Sequence, residues 1–98
     1  MKSYSFTSKL WFYPGAQAAW HFITVPKKES VDIKTHYGKN ARGWGSLPVS
    51  VTIGKTTWKT SIFPDRKSGT YVLPVKTEVR RKETLFDEDR VEVSCTLL

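Results

Sequence analysis

The sequence is short of the residues that most chemistry needs. It has one cysteine, Cys95, and two histidines, His21 and His36. A single cysteine excludes an internal disulfide framework. Neither histidine has an obvious carboxylate partner along the chain, which leaves poor material for a nucleophile, a base and a group to orient the base. Cys95 falls among Val91, Val93 and Leu97, where a thiol behaves as a small hydrophobe rather than as a thiolate. No apolar run approaches the roughly 18 residues of a membrane span. The opening MKSYSFTSKLWFYPG interleaves its apolar residues with Ser, Thr and Lys instead of massing them as a signal peptide does. Gly38, Gly43 and Gly45 fit neither phosphate-loop spacing. Asp87-Glu88-Asp89 lacks the spacing of a calcium loop and reads as an acidic turn. Together these absences predict a cytoplasmic, non-enzymatic protein with no membrane attachment, metal or cofactor.

Acidic residues are also scarce over most of the chain. Met1 to Lys82 carries 15 Lys and Arg against 4 Asp and Glu, a net of +11, while Glu83 to Leu98 carries 1 against 5, a net of −4. A basic body attracts polyanions through its summed field, and it also keeps a small domain soluble.

What is abundant is alternation. Leu47, Val49, Val51 and Ile53 point one way from a strand, and Pro48, Ser50 and Thr52 the other, because successive side chains leave opposite faces. The same period places Tyr4, Phe6, Leu10 and Phe12 on one face of a first strand, Ser3 to Phe12, which Tyr13-Pro14-Gly15 interrupts. A second strand, Ala19 to Val25, sets Trp20 and Phe22 opposite His21, Ile23 and Val25, and a loop around Pro14 to Ala18 joins the two. Thr56 to Phe63, stopped by Pro64, pairs with Leu47 to Ile53 through a tight turn at Gly54-Lys55. Asp65 to Gly69 is a polar turn, Thr70 to Val75 a strand, and Arg90 to Leu97 a last one with Val91, Val93, Cys95 and Leu97 inward. Pro26 opens a short helix over Lys27 to Tyr37, with Val31, Ile33 and Tyr37 as its apolar stripe and Gly38 as its stop. Lys76 to Glu83 forms a second helix, with Leu85 and Phe86 tucked beneath it. The 98 residues thus make one domain, 1–98, mainly β. It is a small closed barrel of six or seven strands with two short helices. Val25-Pro26-Lys27-Lys28-Glu29-Ser30-Val31 and Leu73-Pro74-Val75-Lys76-Thr77-Glu78-Val79 repeat an apolar-Pro-x-Lys-x-x-Val pattern, as two similar halves of a pseudo-twofold barrel would.

The residues left over by the core are the candidates for function. Trp44 lies between two glycines in a loop, where it either packs as a lid or lines a ligand cleft. Trp58 shares the parity of Ile62 and belongs to the core. Arg42 and Trp44, bordered by Lys59 and Ser61, form a candidate ligand-binding cleft, because guanidinium donors suit carboxylate or phosphate. The expected ligand is a small anion or a protein partner. Arg66, Lys67, Arg80, Arg81 and Lys82 are the alternative, a phosphate-binding surface for nucleic acid. A monomer is favoured over a homodimer.

Several segments taken in order resemble one family. They are Arg42-Gly43-Trp44-Gly45, the Val-x-Val-Thr-Ile-Gly of residues 49–54, Trp58 to Pro64, Gly69 to Val75, and Val79-Arg80 followed by Glu88-Asp89-Arg90-Val91-Glu92-Val93. The family is the bacterial domain-of-unknown-function family nineteen-oh-five. The resemblance implies a double-split β-barrel, the architecture of AbrB- and MazE-like regulators and antitoxins. Those regulators have Gly-Asp where this chain has Glu88-Asp89. The AbrB likeness implies DNA binding as the alternative function. The family itself implies no activity.

Overall fold

The computed structural model describes residues 2–15 and 19–98. Its strands are β1 (Ser3–Pro14), β2 (Ala19–Thr24), β3 (Leu47–Ile53), β4 (Thr56–Asp65), β5 (Thr70–Pro74) and β6 (Arg90–Leu97); its helices are α1 (Lys27–Tyr37) and α2 (Thr77–Glu83). The strands close into an antiparallel barrel in the order β1-β2-β5-β4-β3-β6. The sequence is therefore read twice as strand, strand, helix, strand, and the two halves exchange under a pseudo-twofold axis.

Alternation explains the core directly. Val49, Val51, Ile62, Leu73, Val93, Cys95 and Leu97 fill the barrel, with Leu10, Ile23 and Val25 completing it. Burial pushes the Cys95 thiol up to about 12. Gly54 takes positive φ in the β3–β4 turn, as the tight hairpin requires.

The two longest strands each serve two sheets. β1 pairs with β6 over Ser3 to Lys9 and with β2 over Leu10 to Pro14. β4 pairs with β3 over Thr56 to Ile62 and with β5 over Phe63 to Asp65. Beside the first half of each long strand the barrel is therefore split. At one split, Val25 donates its N–H to the Tyr71 carbonyl at 2.9 Å and the chain turns into α1; at the other, Val75 donates to the His21 carbonyl at 2.9 Å and turns into α2. Val25 thus corresponds to Val75, and the helices begin two residues later, at Lys27 and Thr77. The sequence repeat, which aligns Pro26 with Pro74, is out of step with this correspondence by two residues. Pro26 caps α1, whereas Pro74 is still in β5.

Several expectations need correction. β1 continues through Tyr13 to Pro14, which lies opposite Ala19; residues 16–18 of the expected loop lie outside the described residues. β4 does not stop at Pro64 but runs on to Asp65. Pro64 lies opposite Tyr71, whose N–H goes to Ser30 Oγ and whose carbonyl goes to Val25, both on the side away from β4. The N–H that proline lacks has no acceptor to meet there, so the strand loses nothing. Gly38 is right-handed (φ −56°, ψ −30°) and leads into a turn of 3-10 helix instead of ending α1 in the left-handed region. On α1, Val31 is exposed and Ser30 takes the buried place beside Ile33. Phe12 keeps the inward parity of Leu10 but is exposed, because it lies beyond the end of the β1–β6 pairing. Leu85 packs on the core, but Phe86 is exposed. Glu88 sits at φ 76° in the turn before β6, so the tight turn forms without a glycine. The Phe86 N–H donating to Asp89 Oδ2 (2.9 Å) helps to hold it.

Candidate functional site

β5 leaves β4 after Phe63, so the β4 backbone from Trp58 to Ser61 has a strand partner only on the β3 side. Across the gap run Pro74, Val75 and the start of α2. The space between is a cleft of about 390 Å³ lined by Trp20, His21, Trp58, Lys59, Lys76 and Arg80, with Thr60 and Thr77 among the remaining walls. It lies within the usual size range of small-ligand sites. Among the described residues, no Asp or Glu lines it.

Its cations differ in how they are held. Arg80 is part-buried: its Nε donates to the Val75 carbonyl at 3.2 Å and its Nη2 to Thr77 Oγ1 at 2.8 Å. Two of five guanidinium donors are thereby used to orient the group, and the others remain for a ligand. Lys76 lies 3.6 Å from Glu78. Lys59, on the outer face of β4 opposite Ser50, has no ion-pair partner among the described residues. Trp58 packs partly on the core, as its parity predicts, while its remaining surface walls the cleft. Trp20 is 49% exposed at the other wall.

His21 does have a carboxylate partner, which only the fold supplies. Its Nε2 donates to Asp87 Oδ1 at 2.6 Å, and its Nδ1 is buried with no hydrogen-bond partner among the described residues. The two residues are far apart in sequence, so spacing gave no sign of them. His36 donates from Nδ1 to the Asp32 carbonyl of its own helix at 2.9 Å and lies 3.5 Å from the Asp32 carboxylate one turn earlier, an exposed arrangement within one helix.

The four residues first grouped as a ligand cleft do not converge. Lys59 lines the cleft just described. Arg42 holds its loop through the backbone, its N–H donating to the Ser46 carbonyl at 2.8 Å. Trp44 neither lids the barrel nor lines this cleft: it is 92% exposed, at φ 65°, beside Phe63, Pro64 and Arg66. Gly45 follows it at φ 74°, and a Cβ there would stand 2.9 Å from Pro64 Cγ, so this glycine lets the loop lie against the end of β4. Pro64 is about 17 Å along the strand from Lys59, at some 3.3 Å per residue. Ser61 is part-buried opposite Pro48.

The five basic residues of the nucleic-acid alternative are also divided. Arg66 and Lys67 stand in the β4–β5 turn, which Lys27 holds against the start of α1 by donating to the Ser68 carbonyl at 3.2 Å. Arg80, Arg81 and Lys82 are on α2, whose last residue, Glu83, meets Thr56 at the opposite end of β4 (2.6 Å). The length of β4 separates the groups, and only Arg80 lines the cleft.

Trp20, Lys76 and His21 were missed by sequence reasoning, and Trp58 was assigned to the core alone. Trp20 did carry a signal, since an outward tryptophan on a short strand has no role in the core.

Fold and site define a closed six-stranded barrel with one helix-bordered split left open as a cationic, tryptophan-walled cleft. The chain belongs to the family described as Domain of unknown function (DUF1905), whose sequence signature matches residues 6–95. No curated protein matches it. Among the described residues, no helix is long and apolar enough to cross a membrane.

Proposed function

We propose that this domain binds, without transforming it, a small anion with a planar body, and that the ligand occupies the split between β4 and α2. The observation that carries this reading is the lining itself: Lys59, Lys76 and Arg80 between Trp20 and Trp58, with no carboxylate among them. Guanidinium and ammonium groups supply charge-assisted hydrogen bonds to carboxylate or phosphate, and indole faces accept flat rings. Binding without chemistry is favoured by the nucleophile inventory. Cys95 is buried with its thiol pushed up to about 12, and no hydroxyl or thiol hydrogen-bonds to His21 among the described residues.

Titration calorimetry with adenosine 5′-monophosphate, with inorganic pyrophosphate as a ring-free control, tests the reading. Both should bind, the nucleotide more tightly. Lys59→Gln and Arg80→Gln should each weaken binding by about tenfold or more, the loss expected for one hydrogen bond to a charged group. Affinities unchanged in both variants, or no heat from any anion, would refute it.

A further inference from the structure

The outer face of the β1–β2 hairpin carries a second feature that the core does not explain and that meets the cleft only at Trp20. Trp11, Tyr13, Trp20 and Phe22 all point outward there, Trp11 opposite Phe22 and Tyr13 opposite Trp20. Trp11 and Phe22 have ring centroids 5.2 Å apart, and Trp20 and Phe22 lie 6.0 Å apart with planes only 12° from parallel. Tyr13 adds a fourth ring 6.5 Å from Phe22. Trp11 is held in place, its Nε1 donating to Thr24 Oγ1 at 2.9 Å. Even so, Tyr13 is 53% exposed and Trp20 is 49% exposed. A cluster of large rings in water is costly unless something covers it.

Two features decide the occupant. The first is shape: the patch is built of flat rings, with no Leu, Ile or Val among its four members, so it suits planar groups better than acyl chains. The second is charge. On one side the platform runs through Trp20 into Lys59, Lys76 and Arg80 of the cleft. On the other, Lys9 and Arg90 stand opposite each other across β1 and β6, but the acidic turn Asp87-Glu88-Asp89 lies beside them, with Glu88 3.3 Å from Lys9 and Asp87 on His21, so the cationic flank of the platform is the cleft side alone. Two copies of a chain of net charge +7 would repel each other as whole molecules. A polyanion bearing stackable rings would not.

We infer that the hairpin face is a stacking platform for single-stranded nucleic acid, with bases on Tyr13, Trp20 and Phe22 and the backbone phosphates reaching the cations of the cleft. The inference rests on the anion-binding reading for its phosphates and on the platform alone for its bases. It differs from duplex binding through Arg66, Lys67 and α2, which the fold separates. Stacking on aromatic side chains is sequence-tolerant, because every base has a π-face.

The test uses the whole chain and a labelled single strand of roughly ten thymidylates, a length one small β-barrel can accommodate. Fluorescence anisotropy at about 50 and about 200 mM salt is read beside tryptophan emission. The single strand should bind more tightly than a duplex of equal length, quench the emission and weaken with salt. Tyr13→Ser, outside the cleft, should weaken it by roughly fivefold or more yet bind pyrophosphate like the parent chain. Tyr13→Ser with Trp20→Ser should weaken it much further, with the fold checked by circular dichroism. Equal affinity for single strand and duplex, unaffected by Tyr13→Ser, would reduce the effect to phosphate attraction and overturn the inference. Pyrophosphate binding without oligonucleotide binding would overturn it and leave the cleft reading intact. Oligonucleotide binding sensitive to Tyr13→Ser without pyrophosphate binding would sink the cleft reading and keep the platform. A dimer in sedimentation that Tyr13→Ser returns to monomer would show that a second copy covers the face, and overturn it.

Discussion

α1 and α2 each follow a strand out of the barrel, and each borders a split beside a long strand, but one split is filled and the other is not. In the first half, Ser30 Oγ donates to the Val25 carbonyl at 2.9 Å and accepts the Tyr71 N–H at 3.0 Å, so a small side chain lets α1 sit close. Ile33, fully buried, fills the space behind it. Asp32 then fastens the helix to β1, accepting from Lys2 Nζ and Tyr4 Oη, each at 2.6 Å. In the second half the place of Ser30 is taken by Arg80, which also reaches the equivalent carbonyl, that of Val75, but with a long cationic side chain. The place of Ile33 is taken by Glu83, which turns away to the Thr56 hydroxyl at 2.6 Å and the Lys55 N–H at 3.3 Å. Only Val79 of α2 is buried. The same backbone solution thus yields core where the helix offers Ser and Ile, and a cleft where it offers Arg and Glu.

The sharpest way to break this comparison is to empty the filled split. Ile33→Ala should cost about 2–5 kcal/mol in urea unfolding, the range for large-to-small changes in a packed site. Glu83→Ala, at the corresponding position, should cost about 1 kcal/mol, the worth of its hydrogen bonds. Equal losses would mean that both helices bear on the core alike. Next in size, Ser30→Ala strands the buried Tyr71 N–H and should cost about 1–3 kcal/mol, while conversion to Thr, which keeps the hydroxyl, tests whether α1 tolerates an added methyl. A smaller and opposite effect is expected where α2 ends. Thr84 holds the left-handed conformation at φ 54°, so Thr84→Gly should stabilise the protein by about 1 kcal/mol, read as a higher melting temperature.

The smallest effect concerns pH. Hydrogen bonds from Lys2 and then from Tyr4 hold the Asp32 carboxyl below its ordinary value. Burial first, and the Asp32 hydrogen bond second, push the Tyr4 phenol up. A carboxyl that binds its proton less readily when folded stabilises the fold above its unfolded value and loses that contribution as pH falls through its folded one. Acid melting curves should therefore steepen below about pH 4, and Asp32→Asn should flatten that limb while leaving Glu83 and the open split unaffected. An unchanged acid limb would show that Asp32 does not fasten α1.

Much of the fold was legible. β3 and β6 span the residues their alternation marks, and α1 begins directly after Pro26 and ends at Tyr37, because a period of two and an N-terminal proline act locally. What escaped reading depends on distant partners. Whether Pro64 ends a strand is decided by which way Tyr71 turns its N–H, which the register of β5 against β4 sets and Ser30 satisfies. The site was legible only in fragments. Lys59 and Arg80 were singled out, but in separate groups, since residues on β4 and α2 meet only after β5 leaves the sheet. Arg42 and Trp44 were joined to Lys59 because they stand near it in sequence, whereas the extended β4 carries its ends apart.

The sequence by itself determined a barrel of six or seven strands with two helices, most of the inward residues, and Trp20 and Phe22 on the face opposite His21, Ile23 and Val25, because steric alternation and burial are properties of neighbouring residues. Only the tertiary structure decided that β1 and β4 would each change partner midway, that Ser30 and Arg80 would face equivalent splits, and that His21 would meet Asp87. Those outcomes depend on contacts between residues far apart in the chain, where the size and charge of one side chain settle whether a gap becomes core or cleft.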